Sequence, residues 1–306
     1  MTWDPHELGE LTGRTVLVTG ATSGIGLAAA RELVDRGAHV LLGARDVDKG
    51  ERVRAELTGA GSAEVVHLDV ADLDQVAEAA KTVLDSTESL SALVCNAGLM
   101  AGPLRLSPQG HELQMATNHL GHAALVAGLW PLLHASASRV VLVSSLAARG
   151  GRLSPTSTVD DLVAPSPYVP QRVYSTTKQA NLLFALELAR RASRAGSPVS
   201  AVAVHPGVSN TELFVRHLPG GRRSPLVPVV KAVGSLVLQS SDAGALPTLR
   251  GLPHSTPSGA FVGPGGLGQL RGRPVLLDLP STAKDPATAE RLWELTEQVL
   301  DSPLPV

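Results

Sequence analysis

The sequence predicts an α/β fold built on a parallel sheet, on three observations. Short β-branched runs alternate with longer helix-forming stretches along most of the chain. The first run, Arg14-Thr15-Val16-Leu17-Val18-Thr19, lacks the strict polar alternation of a half-exposed strand and reads as one buried on both faces. Apolar residues make up 43% of the 306 positions against 18% charged, enough for a sizeable core, and with aromatics at 3% that core must be aliphatic. No internal repeat or linker-like break interrupts the pattern, so residues 1–306 read as one domain with a core from about 12 to 300.

The first strand runs into Gly20-Ala21-Thr22-Ser23-Gly24-Ile25-Gly26 and then a helix over residues 27–36, closed by Gly37. Glycines in this setting let the backbone turn tightly and approach a pyrophosphate, whose charge then sits at a helix N-terminus. Gly20, Ser23, Gly24, Ile25 and Gly26 are therefore candidate dinucleotide contacts; an ordinary strand-to-helix turn is the plainer alternative. The second strand, 39–42, leads to Gly43-Ala44-Arg45. Where an NAD site usually carries an acidic residue on the ribose 2′-hydroxyl, this chain has Ala44 and then Arg45. A guanidinium matches a phosphate in geometry and charge, which favours NADP(H); a solvated surface charge is the alternative. Asp46 reads as the cap of a helix over 47–57.

A strand over 64–68 follows, ending at Asp69 and Val70. Asp69 is placed either to contact the adenine or simply to turn the chain. Asp72 reads as the cap of a helix over 73–84, and the fourth strand, 92–95, ends at Asn96-Ala97-Gly98. Those small residues would let backbone lie against a flat cofactor, or serve as a plain turn. Residues 99–110 read as a loop and 111–133 as a helix. An asparagine inside a helix competes for backbone hydrogen bonds, which makes Asn118 a candidate functional residue. His119 and His122 share a face, yet no third ligand stands at a suitable spacing, so no metal is expected.

The fifth strand, 140–143, delivers Ser144-Ser145 at its carboxyl end, where open α/β sheets bind ligands. Residues 150–173, rich in Pro, Ser and Gly, form a long irregular connection. Then comes Tyr174-Ser175-Thr176-Thr177-Lys178, whose spacing of four puts a phenol and an ammonium on one helix face. A free tyrosine titrates near pH 10, too high for acid/base work at neutrality, and a neighbouring cation favours the phenolate. Lys178 is accordingly expected to lower the pKa of Tyr174. The sixth strand, 199–204, ends in His205-Pro206-Gly207; residues 209–250 read as a breaker-interrupted helical lid over the substrate. A last strand over 259–262 and a helix over 287–300 close the fold.

A formal net charge of −2 gives no electrostatic argument for nucleic acid or an anionic membrane. The single cysteine, Cys95, excludes an internal disulfide and a Cys-rich metal site, and fits a reducing, cytoplasmic setting. Residues 1–13 carry scattered charges without an apolar stretch, so no signal peptide is expected. The longest apolar approach, 226–238, is broken by Pro228 and Lys231 and is too short for a membrane span.

In chain order, Gly20-x-x-x-Gly24-x-Gly26, Asn96-Ala97-Gly98, Asn118, Ser145 and Tyr174-x-x-x-Lys178 resemble the motifs of the short-chain dehydrogenase/reductase family over nearly the whole length. The glycine spacing is similar to the classical branch and not the extended one, which disfavours a nucleotide-sugar epimerase or dehydratase. Gly43-Ala44-Arg45-Asp46, Asn118-His119-Leu120-Gly121-His122, His205-Pro206-Gly207 and Arg291-Leu292-Trp293-Glu294-Leu295 resemble the retinol-dehydrogenase and protochlorophyllide-reductase-like group, as does the long gap before Tyr174.

The resemblance implies a Rossmann-type doubly wound sheet of about seven parallel strands and an NADP(H)-dependent interconversion of an alcohol and a carbonyl. It implies Tyr174 as the proton donor or acceptor, Lys178 on the nicotinamide ribose, Ser145 on the substrate oxygen, and Asn118 positioning a relaying water. Family alignment prefers Ser145 to Ser144. Cys95 replaces the first of two asparagines usual in the family, and Ser209-Asn210-Thr211 stands where Val-x-Thr is usual. Pro206, Gly207, Ser209 and Thr211 are the corresponding candidates for the nicotinamide carboxamide. An aliphatic pocket from residues 99–106, 150–173 and 213–238 suggests a lipophilic small-molecule substrate, and homo-oligomers are common in the family. A sensor or scaffold that binds NADP(H) without turnover is the alternative, although such proteins usually lose the Tyr or the Lys, and both are here.

Overall fold

The computed structural model describes residues 3–100, 102–208 and 239–306. Eight strands form one sheet in the order β3-β2-β1-β4-β5-β6-β7-β8. They are β1 (Thr15–Thr19), β2 (His39–Ala44), β3 (Ser62–His67), β4 (Ala92–Cys95), β5 (Arg139–Val143), β6 (Ser200–Val204), β7 (Phe261–Pro264) and β8 (Pro274–Leu276). All neighbours pair in parallel except β8, which runs antiparallel to β7. The seven expected strands are present and β8 is added to them. Its three residues, between the Gly- and Arg-rich turn and Leu277, are too short to carry a periodic signal.

The central strands of the sheet are buried on both faces, as β1 anticipates. Leu17 packs into one layer with Leu41, Leu93 and Leu142; Val16 and Val18 pack into the other with Leu33, Val40, Val94 and Val141. Adjacent residues of one strand thus serve opposite layers, and both layers are aliphatic. β1 pairs with β2 on one side and β4 on the other, so chain order reverses there. The crevice at the carboxyl ends of β1 and β4 is where such sheets bind ligands.

The helices α1 (Gly24–Asp35), α2 (Val47–Glu56) and α3 (Leu73–Ser86) follow the expected order. Asp46 and Asp72 cap the latter two, accepting from the amides of Lys49 and Asp74. The single helix expected over 111–133 is instead broken. A short turn α4 (Leu113–Met115) passes into a wide π-type turn (Ala116–Leu120), then α5 (Gly121–Gly128) and α6 (Trp130–Ala135). Pro131 starts α6, which explains the second break. At the first, the chain presses on the end of the β3 segment: a Cβ on Gly121 would stand 1.8 Å from the Val70 carbonyl.

The connection 150–173 holds a short helix, α7 (Val159–Val163), whose capping box joins Thr158 and Asp161. The long helix α8 (Pro170–Arg194) starts at a proline, placing Tyr174 in its second turn. Of the expected lid, residues 209–238 lie outside the described residues. Its remainder is not over the site: α9 (Ser241–Gly251) packs on α1, with Ala245 against Ala28 and Ala29. Small residues on both helices permit that approach. The closing helix α10 (Pro286–Leu300) lies on α8, where Trp293 stacks on Phe184 at 5.2 Å.

Candidate active site

The glycine turn between β1 and α1 has the backbone its residues imply. Gly20 and Gly24 are left-handed, at φ +66° and +57°. Gly26 is there for space: a Cβ would lie 2.4 Å from Asn96 Nδ2 and 2.5 Å from the Gly20 carbonyl. Ser23 at the N-cap makes no side-chain cap bond, so the first amides of a 12-residue helix, those of Gly24, Ile25 and Gly26, have no capping side chain. These features fit a dinucleotide's pyrophosphate.

Asn96 turns inward. Its Nδ2 donates to the Thr19 carbonyl at 2.9 Å, tying the end of β4 to the end of β1. Gly98 stands against Asn118 and Lys178: a Cβ there would lie 3.2 Å from Asn118 Oδ1 and 3.5 Å from Lys178 Nζ. Ala97 lies against Gly20, its Cα 3.0 Å from where a Gly20 Cβ would be.

Arg45 is 75% exposed beyond β2, with Nη1 3.8 Å from Asp69 Oδ2. Asp69 also accepts from the Ala71 amide at 3.0 Å, so it is a turn residue and the partner of Arg45 at once. Val70 is buried in the core, its carbonyl packed against Gly121. Beyond β6, Gln239 Nε2 donates to the Pro206 carbonyl at 2.9 Å, and Gly207 is left-handed at φ +74°. Ser209 and Thr211 lie outside the described residues.

Asn118 sits in the π-type turn, fully buried. Its Oδ1 accepts from the Leu99 amide at 2.9 Å, and its Nδ2 donates to the Leu99 carbonyl at 3.0 Å and to Thr177 Oγ1 at 2.9 Å. It thereby clamps the 99–112 loop to α8. Ser144 is structural: its hydroxyl donates to the Lys178 carbonyl at 2.6 Å. Ser145 is the serine at the site, hydrogen-bonded to the Tyr174 phenol and accepting from the Ala147 amide at 3.2 Å. The choice between the two serines thus has a geometric reason.

Lys178 Nζ is 5.8 Å from the centre of the Tyr174 ring and donates to the Val143 carbonyl at 3.0 Å. Burial holds its pKa down at about 8. The expectation that Lys178 lowers the Tyr174 pKa is corrected here. Burial pushes the phenol up from its ordinary value, and the group that pulls it down is the Ser145 hydroxyl. Helical spacing made Tyr174 and Lys178 neighbours, but it carried no information about how dry their surroundings are.

Residues 14–156 match the family described as short chain dehydrogenase. Dehydrogenase/reductase SDR family member 13 from Bos taurus is 37% identical over 300 residues, covering 95% of this chain and 74% of that one. The chain belongs to the short-chain dehydrogenase family. Retinol dehydrogenase 12 from Homo sapiens is 35% identical over 300 residues, 95% of this chain and 87% of its own, which puts this short-chain dehydrogenase in the retinol-dehydrogenase-like group. The crystal structure of an uncharacterised protein from Mycobacterium paratuberculosis superposes with a TM-score of 0.80 at 37% identity, each chain covered in full.

Two supports of this short-chain dehydrogenase site escape sequence reasoning. Thr177 takes the Asn118 amide and donates to the Tyr174 carbonyl at 2.8 Å. Thr19 accepts the amides of Asn96 and Ala97, each at 2.9 Å. Both are threonines in unremarkable local patterns, and only tertiary partners mark them. His119 and His122 are spent on protein partners, Thr296 at 2.9 Å for the first and Thr19 at 2.9 Å for the second. Among the described residues no helix is long and apolar enough to cross a membrane.

Proposed function

We propose that this short-chain dehydrogenase uses NADP(H) to interconvert an alcohol and a carbonyl on a lipophilic small molecule, with Tyr174 as its acid and base. The observation that carries the reading is the cluster of Tyr174, Ser145, Lys178 and Asn118 at the carboxyl ends of β4 and β5. When bound, the cofactor supplies or takes up a hydride at its nicotinamide ring. Ser145 holds the substrate oxygen next to the phenol it already contacts. Tyr174 gives that oxygen its proton in reduction and takes it back in oxidation. Burial keeps the phenol protonated, the form a reduction needs. The Ser145 hydroxyl, the group that pulls the phenol's pKa down, stabilises the phenolate left behind. Lys178, which titrates at about 8 and so is still a cation at neutrality, holds the nicotinamide ribose. Asn118, bonded to the loop and to Thr177, keeps α8 at a fixed distance from the turn that ends in Gly98.

NADP(H) over NAD(H) is supported by Arg45, an exposed guanidinium at the end of β2 with no acidic residue at Ala44. A lipophilic substrate is supported by the loop that leaves Leu99, where Leu104 and Leu106 are 54% and 59% exposed, and by the retinol dehydrogenases among the relatives. The test is a panel of lipophilic aldehydes, ketones and alcohols followed at the reduced-nicotinamide absorbance with each cofactor. Turnover with NADPH and an apolar carbonyl is expected. Cofactor binding without turnover on any member would favour the sensor instead.

A further inference from the structure

His122 is completely buried on α5, 103 residues from one of its partners, and the proposed mechanism does not use it. Its Nδ1 lies 3.0 Å from the Asn118 carbonyl and its Nε2 lies 2.9 Å from Thr19 Oγ1. A carbonyl only accepts, so the proton sits on Nδ1. Burial holds the imidazole pKa at about 4, so the ring is neutral and Nε2 carries a lone pair. Thr19 must then donate its one hydroxyl hydrogen to Nε2. The competing acceptor, the Val94 carbonyl, is farther at 3.3 Å. Both lone pairs of Thr19 Oγ1 remain for the Asn96 and Ala97 amides, and every group in this relay is satisfied. The opposite tautomer would set a lone pair against the Asn118 carbonyl and a third donor on an oxygen already full.

We infer that His122 is a positioning residue for the cofactor site, an Nδ1–H imidazole that locks the Asn118 turn to the Asn96-Ala97-Gly98 turn through the Thr19 hydroxyl. The inference rests on the proposed NADP(H) site and takes the backbone of residues 96–98 as a surface on which the flat cofactor lies. Those two turns form one wall. Gly98 has Asn118 Oδ1 and Lys178 Nζ within 3.2 and 3.5 Å of where its Cβ would be, so a small rotation of its turn closes on the lysine. Carbonyl, imidazole, hydroxyl and paired amides hold that rotation.

Four measurements test it. Long-range 15N–1H NMR of the histidine rings in the wild-type protein should report a neutral Nδ1–H tautomer for His122; an Nε2–H ring would overturn the assignment without any variant having to fold. NADPH titration of His122→Phe, which keeps bulk but neither bond, should show a loss of about tenfold or more, the size of one lost net hydrogen bond and a disturbed turn. His122→Gln can donate and accept, and should recover most of that loss at similar Tm. In a Thr19→Val background, His122→Phe should cost little further, because the path is already cut. Wild-type affinity in His122→Phe, or equal loss in folded Phe and Gln variants, would sink the inference. Failure of the wild type to bind NADPH at all would sink the reading of the site instead.

Discussion

Lys178→Met should make the protein more stable while removing its activity. Lys178 is 5% exposed, and burial lowers its pKa from 10.5 to about 8. That fall of about 2.5, at about 1.4 kcal/mol for each pKa unit, is a cost of about 3 kcal/mol for keeping the ammonium in the fold at pH 7. The bond to the Val143 carbonyl returns about 1 kcal/mol when an uncharged group replaces it, and Asn181 still donates to that carbonyl at 3.1 Å. The net gain is about 2 kcal/mol. The sign with pH is definite. The lysine's folded pKa is depressed, so the unfolded chain binds more protons between about 8 and 10.5. Wild-type stability therefore rises across that window, and the advantage of methionine is full below pH 8 and gone above 10.5. Urea denaturation at pH 7 and pH 10.5, followed by far-ultraviolet circular dichroism, measures both. A variant no more stable than wild type at pH 7 would refute the claim that this lysine is held at a cost.

Other perturbations test other parts. Arg45→Ala should weaken NADPH about 10- to 100-fold with NADH unchanged, and should leave Tm alone, because an exposed pair at 3.8 Å is worth little; equal loss of both cofactors would remove Arg45 from the 2′-phosphate. Gly26→Ala would push a methyl to 2.4 Å from Asn96 Nδ2 and 2.5 Å from the Gly20 carbonyl, so cofactor titration should show at least a tenfold loss of affinity. His119, His122 and His205 are buried and held neutral, with pKa values down at about 3, 4 and 4. Depressed folded values mean that stability is whole above pH 6.5 and is lost as pH falls towards 4, by about 2 kcal/mol for each histidine between pH 7 and 5. His119→Gln should flatten that acid slope by about one proton in urea titrations; an unchanged slope would count against a neutral buried ring.

Seven of the eight strands were legible because most are short aliphatic or β-branched runs with their own punctuation, and β8, three residues long, was not. The backbone of the glycine turn and the proximity of Tyr174 and Lys178 were legible because both are set by local spacing. The π-type turn was not, since it depends on Gly121 meeting a carbonyl 51 residues earlier, that of Val70. Thr19 and the partner of His122 were invisible for the same reason: the threonine's partners stand 77, 78 and 103 residues away. Within the expected lid only residues 239–250 are described, and there the reading failed because helix formers broken by a proline do not say what they pack on, and α9 found small residues on α1. The phenol was misjudged because charge proximity is written in the sequence and desolvation is not.

The central claim is that the Tyr174 hydroxyl moves the proton that accompanies hydride transfer. Single-turnover reduction of a lipophilic aldehyde by prebound NADPH, comparing wild type with Tyr174→Phe, measures it most directly. The account predicts wild-type cofactor affinity in the variant and a hydride-transfer rate lower by at least about a hundredfold, the low end of what a positioned acid contributes. Equal rates in the two proteins would contradict it.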